Sequence, residues 1–332
     1  MLRLKRSKNP LFWIAFFFWF PIECFIFYRL IQKDKIGLIH VNMESTIPPA
    51  IAGRLARIPV VIHYRGKTRD DPKWFFDLFL PALYRLADHI FVISNASAEG
   101  LMKRRLSHKT QVLYNAVDLH SFLAPDHESS FFESIPQFAH KKVITFIGRL
   151  DPQKRIVDII DAAAILSLKR SDLAFAIVGG DPHIPSEASH KMELQRYLAT
   201  KGPSISIYFL GVQHNISAIL HSSEMLILPS INEGFGRVVV EAMACKTPVI
   251  VANSGALPEL LKGGEHGTIV PPCSPEALAM AILKILEDPN RKEKAQRAQK
   301  HATDTFDIEQ HVLTLSRKYR ELLSESLGTN RT

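Results

Sequence analysis

A chain of 332 residues, 46% of them hydrophobic and 22% charged, can bury two cores and is neither disordered nor fibrous. Its three cysteines, Cys24, Cys245 and Cys273, are scattered and odd in number, which excludes a disulfide framework and fits core thiols in a reducing cytoplasm. The charge is uneven: residues 1–118 hold 18 Lys and Arg against 9 Asp and Glu, while the remainder is close to balanced. No nucleic-acid motif accompanies that basic excess, so the expected counterpart is an anionic membrane surface and not nucleic acid.

The elements follow in chain order. Residues 1–10 carry four basic side chains, and residues 11–28 are almost wholly apolar apart from Pro21 and Glu23. Three readings stand open for this stretch: a membrane span, a signal peptide, or an interfacial or core-packed helix. The last is preferred, because the proline and the glutamate interrupt the run and no small-residue cleavage site follows. From residue 36 short buried strands alternate with helical segments, with strands expected at 38–41, 60–63, 89–94 and 112–114. This pattern predicts α/β architecture with parallel sheets. A polar, proline-bearing stretch over 119–140 reads as a linker. The second half repeats the alternation, with strands at 143–147, 174–178, 206–209, 225–228 and 248–251, and ends in a helix from about residue 308 to 323.

The strand at 225–228 leads into Glu233-Gly234-Phe235-Gly236-Arg237-Val238-Val239-Val240-Glu241, two carboxylates astride a glycine turn that opens an amphipathic helix. In a strand, loop, helix unit a ligand lies beyond the carboxyl end of the strand, at the N–H groups that begin the helix. Glu233 is expected at the mouth, and Glu241 about two turns into the helix. Carboxylates there accept hydrogen bonds from vicinal hydroxyls, one for a sugar and one for a ribose, which describes a nucleotide-sugar site. Glu241 as a merely solvated helix face is the blander alternative. Against it stands the apolar company of Val239, Val240, Ala242 and Met243. Arg149 and Lys154 flank the Pro152 turn, and a guanidinium with an ammonium suits two phosphates. The competing reading makes them ordinary surface charges.

Several motifs recur in one order: Gly148-Arg149-Leu150-Asp151-Pro152-Gln153-Lys154, Ile177-Val178-Gly179-Gly180, Phe209-Leu210-Gly211, Leu228-Pro229-Ser230, the Glu233 to Glu241 run, and Ser254-Gly255-Ala256-Leu257-Pro258-Glu259. With them residues 141–300 resemble the donor-binding domain of family 4 glycosyltransferases. The resemblance implies the GT-B architecture: two Rossmann-like domains facing a cleft. The implied parts are a basic and hydrophobic N-terminal helix (1–35), an acceptor-side domain (36–118), the linker, the donor domain (141–300) and a C-terminal helix (301–332) crossing back to the first domain. It implies a retaining, metal-independent hexosyltransferase of front-face mechanism, with no cofactor beyond a UDP- or GDP-linked sugar donor as substrate. Arg149, Lys154, Glu233 and Arg65 are the expected catalytic residues. Gly148, Gly179, Gly180, Gly234, Phe235, Gly236, Glu241, Ser254 and Gly255 are expected to bind the donor, with Ser254 and Gly255 presenting backbone N–H groups to phosphate. Glu259 is equally well read as a charge in the first turn of the next helix.

Two departures from the family pattern stand out. The strand, glycine-rich loop and further strands that usually precede the segment matching Ile39-His40-Val41-Asn42 are missing, so the first domain is expected to lack its first strands. Where many members carry a histidine, this chain has Arg65, with His63 two residues earlier on the same strand face. Arg65 is assigned to the cleft and His63 is read as a core histidine. The expected acceptor is a glycan or lipid-linked glycan of surface-polysaccharide or lipopolysaccharide assembly, at the inner face of the cell membrane. A catalytically inactive nucleotide-sugar-binding remnant and a GT-B nucleotide-sugar epimerase are the alternatives.

Overall fold

The computed structural model describes residues 10–43, 46–65, 84–102, 107–124 and 131–329, and the chain divides into two compact units. The first joins Met1–Tyr114 to Glu309–Thr332, and the second is Asn115–Ile308. In the first unit α1 (Pro10–Lys33), β1 (Ile39–Val41), α2 (Pro48–Leu55), β2 (Val60–Tyr64), β3 (His89–Val92), α3 (Asn95–Met102) and β4 (Thr110–Val112) build a parallel sheet of order β1-β2-β3-β4. Every residue of β2 and β3 is buried. Strands covered on both faces need continuous apolar runs, which Val60-Val61-Ile62 and Ile90-Phe91-Val92 supply. Pro48 and Pro49 start α2 at positions where a missing N–H costs nothing.

One face of this sheet packs on α1 and α2, where Val60, Ile62, Ile90 and Val92 meet Ala50 and Phe20. On the other face Val61, Phe91 and Leu113 meet Leu315, Tyr319 and Leu322 of the last helix. The Tyr319 hydroxyl hydrogen-bonds His40 Nδ1, and the His311 ring packs parallel to His63 at 6.4 Å. Among the described residues no helix is long and apolar enough to cross a membrane. α1 packs on α2 and places Phe20 against the first core, in agreement with the preferred reading of an interfacial or core-packed helix.

The second unit runs β5 (Lys142–Ile147), α4 (Ile156–Ser167), β6 (Leu173–Val178), α5 (Pro185–Ala199), β7 (Ile207–Gly211), α6 (Ile216–His221), β8 (Met225–Leu228), α7 (Arg237–Ala244), β9 (Val249–Ala252), α8 (Leu257–Leu260), β10 (Thr268–Val270), α9 (Pro275–Glu287) and α10 (Arg291–Phe306). After it comes α11 (Ile308–Thr329), which belongs to the first unit from Glu309 onward. The strands form one parallel sheet of order β10-β9-β8-β5-β6-β7. The chain steps outward from β5 in one direction and returns to β8 on its other side, so the topological switch lies between β5 and β8.

The structure differs from the sequence reading at three places. β10 has no counterpart among the predicted strands, because three residues between Gly267 and Pro271 are too short to show a period. β4 lies two residues earlier than expected, set by its pairing of Thr110 with Ile90. The segment taken as a linker is partly core: Phe132 and Phe138 are buried with Phe131 and Ile135 against Val143, Ala174 and Ala176. The boundary between units accordingly falls after Tyr114, and the second unit continues to Ile308.

Candidate functional site

The segment after β5 is built to hold one lysine. Asp151 accepts a hydrogen bond from Gln153 N (2.8 Å) and caps the single 3-10 turn Pro152–Lys154. Arg155 leaves that turn in the left-handed region (φ 55°), and its guanidinium clamps the buried Asp158 of α4 through two hydrogen bonds of 3.0 and 2.5 Å. The segment after β8 is tied to the same turn, since Ile231 N donates to Gln153 O at 2.8 Å. Lys154 Nζ is thereby brought onto Glu233 Oε2, both side chains only 17% exposed. An ammonium and a carboxylate from opposite sides of the switch point meet there, where open parallel sheets bind their ligands. Arg149 is exposed, and among the described residues no carboxylate pairs with it.

The loop carrying Glu233 and Gly234 is fixed from the β9 side. Asn232 N donates to Ser254 Oγ (2.9 Å) and Ala256 N to Glu233 O (2.9 Å). Gly255 has φ +59°, and a Cβ there would stand 2.2 Å from Glu233 O, so no side chain fits. Phe235 is buried with its ring against Phe306 at 5.8 Å, which anchors the loop to α10. Gly236, at φ +88°, caps α7, whose first N–H groups begin beside Glu233. Glu241 is the fifth residue of α7, so it lies just over one turn into the helix and not two. Burial pushes its carboxyl above the ordinary range, and Arg237, at 3.5 Å, pulls it back only in part.

That burial has a testable consequence. A raised carboxyl pKa means the proton-bound form is favoured in the fold; its stabilisation is complete below the ordinary value of 4.5 and is lost as pH rises through the folded value. Glu241→Gln carries no such cost. It is expected to melt above the wild-type chain at pH 8, with the gap closing as pH falls toward 4.5, while losing ligand affinity by about tenfold or more. A lower Tm at pH 8 would contradict this account.

The glycine turns pack against each other. A Cβ on Gly179 (φ +120°) would lie 1.9 Å from Gly148 O, and one on Gly180 would meet Leu150 at 2.5 Å. Gly148 N donates to Val178 O (3.0 Å), joining the ends of β5 and β6. Glu187, buried in the first turn of α5, accepts from Leu150 N (3.2 Å) and Asp181 N (3.3 Å) and so ties the same two turns together.

The structure thus brings Gly148, Lys154, Glu233, Gly234, Gly236, Ser254 and Gly255 into one neighbourhood, with Gly179 and Gly180 packed beneath. Arg65 belongs to the first unit, where its Nη2 donates to Asn42 Oδ1 (2.6 Å) beyond the ends of β2 and β1. His63 is buried there, and burial together with Arg65 pushes its imidazole down to about 3, which suits a neutral core histidine. Three further expectations need correction. Ser254 N is engaged by Ala252 O (2.8 Å), so Ser254 acts through its hydroxyl and not through its N–H. The ring of Phe235 faces the core. Cys273 is exposed, unlike the buried Cys24 and Cys245. Arg155, Asp158 and Glu187 escaped sequence reasoning, although the Arg-x-x-Asp spacing at the start of α4 is a visible signal.

Two parallel-sheet α/β units with a site at the switch point define a GT-B-type protein. The profile of the glycosyl transferases group 1 matches residues 128–304, and that of glycosyltransferase family 4 matches residues 3–121. The chain belongs to the group 1 glycosyltransferases. It is 23% identical over 308 residues to the UDP-Gal:alpha-D-GlcNAc-diphosphoundecaprenol alpha-1,3-galactosyltransferase of Escherichia coli, covering 89% of this chain and 78% of that one. It is 34% identical over 191 residues to the D-inositol 3-phosphate glycosyltransferase of Corynebacterium glutamicum (strain R), covering 56% of this chain and 44% of that one. Among solved structures, Anabaena Alr3699/HepE in complex with UDP superposes with a TM-score of 0.80 at 24% identity, over 89% of this chain and 82% of that one.

Proposed function

We propose that this protein transfers a hexose from a UDP- or GDP-linked donor to a glycan or lipid-linked acceptor, with retention of anomeric configuration. The observation that carries the reading is the Lys154 and Glu233 pair at the β5/β8 switch, with exposed Arg149 on the same segment as the lysine and α7 opening from the loop that carries Glu233. As the bond from the anomeric carbon to phosphate breaks, negative charge grows on the departing diphosphate. Lys154, Arg149 and the helix N-terminus stabilise that charge without a metal. Glu233 positions the lysine and accepts from sugar hydroxyls, and Glu241 accepts from the ribose. Arg65 serves the acceptor side.

A lipid-linked acceptor at the inner face of the cytoplasmic membrane is supported by the relative named for a diphosphoundecaprenol acceptor and by the basic first third of the chain. The family assignment favours neither an epimerase nor an inactive remnant. The test is calorimetric titration with UDP-, GDP- and ADP-sugars in buffer containing EDTA. One base is expected to bind in the wild-type chain and to bind at least about tenfold more weakly to Arg149→Ala, since a charge-assisted contact to phosphate is lost. Absence of binding by every donor would overturn the reading.

A further inference from the structure

The outward face of α1 takes no part in the site described above. The helix turns Phe20 and Cys24 inward, against α2 and the first core. On its opposite side Phe18, Trp19, Phe25 and Ile26 are 67%, 50%, 63% and 48% exposed. Arg29 and Lys33 are exposed on the same side, toward the C-terminal end. At 3.6 residues per turn these six positions fall within about 120° of arc. A helix on a water-facing surface carries polar residues outward, and this one carries aromatic ones. A contiguous exposed aromatic patch of this kind marks a surface that meets something else.

The charge decides what. Arg29 and Lys33 border the patch, and the sequence adds Arg3, Lys5, Arg6 and Lys8 ahead of the helix. A second copy of the chain would set cation against cation. An anionic bilayer supplies both what the aromatic rings need, an apolar layer beneath polar headgroups, and what the cations need. Pro21 and Glu23 fall within the helix, which fits a segment lying along a bilayer better than one crossing it.

We propose that α1 docks this face onto an anionic lipid surface, with Phe18, Trp19 and Phe25 entering the headgroup boundary and Arg29 and Lys33 at the level of the lipid phosphates. The docking deepens the reading of a lipid-linked acceptor, because such an acceptor lies in the same surface, and it rests on that reading only for its purpose.

The test uses the full chain with Trp13→Phe and Trp74→Phe, which leaves Trp19 as the fluorophore. Vesicles of about one third phosphatidylglycerol in phosphatidylcholine are expected to shift its emission to the blue, and brominated acyl chains to quench it. The double substitution Phe18→Ser with Phe25→Ser is expected to cut vesicle partition by about tenfold or more. Arg29→Gln with Lys33→Gln is expected to weaken binding and flatten its salt dependence. All four positions are exposed, so matching thermal melts will verify that the variants fold. Unshifted Trp19 emission with anionic vesicles overturns the proposal. So does a dimer in lipid-free buffer that Phe18→Ser with Phe25→Ser dissolves, since a second copy then covers the face. Nucleotide-sugar titration of the same sample separates the two readings: donor binding without vesicle binding sinks only the docking, and vesicle binding without donor binding sinks only the transferase.

Discussion

Lys154→Ala is expected to lower turnover by about 100- to 1,000-fold, the usual effect of removing one preorganised charge-stabilising donor from an active site. The size follows from where the ammonium sits. It is mostly buried, held by Glu233, and fixed by a turn that Asp151, Gln153 and the Arg155–Asp158 clamp all constrain. Little reorganisation is needed when leaving-group charge appears. Removing the lysine also leaves Glu233 uncompensated, so a carboxylate would face an incoming diphosphate. Lys154→Arg is expected to recover only part of the loss, because a planar fork does not fit the place of a point charge. Steady-state kinetics with the donor identified by calorimetry will check this, and turnover within threefold of wild type in Lys154→Ala would remove the residue from the mechanism.

Gly179→Ala is expected to destabilise the chain by about 3–5 kcal/mol, the range of the largest single-residue effects. Its Cβ would fall 1.9 Å from the carbonyl oxygen of Gly148, at φ +120°, so the two turns would have to part. Gly148 N and Gly179 N also hold β5 to β6 and β6 to β7 through Val178 O and Gly211 O. Parting the turns breaks those links and moves the segment that carries Arg149. Gly202→Ala is the control: φ is +101°, but nothing lies within 4 Å of the added atom. It should cost only backbone strain, about 1 kcal/mol. Denaturant unfolding of both variants will separate close approach from strain, and equal losses would mean that the Gly148 contact carries no weight.

How much of this was legible depends on whether the signal was local. The Glu233 to Glu241 run is contiguous, and its glycines, carboxylates and apolar helix face can be read without knowing what packs on them. Most strands were legible because apolar runs stand between turn residues. Glu187 was not, because its partners, Leu150 N and Asp181 N, are backbone groups that carry no side-chain signature. The pairing of Lys154 with Glu233 spans 79 positions and becomes visible only when β5 and β8 lie side by side. Phe131, Phe132, Ile135 and Phe138 fall at helical spacing, but Pro136 interrupts the segment and only a 3-10 turn forms, so their place in the second core was hidden in a short stretch that reads as a polar, proline-bearing linker.

The two units also differ in how the chain supplies them. The second is one continuous stretch, whereas the first draws on both ends of the molecule and takes Leu315, Tyr319 and Leu322 from the last helix to cover its sheet. On the ribosome the second unit can therefore finish before the first, although its codons come later. Until α11 emerges, Val61, Phe91 and Leu113 stand uncovered. A nascent chain that has emerged as far as Ile308 but not beyond would carry a complete second unit and a half-covered first sheet, the kind of surface that chaperones bind.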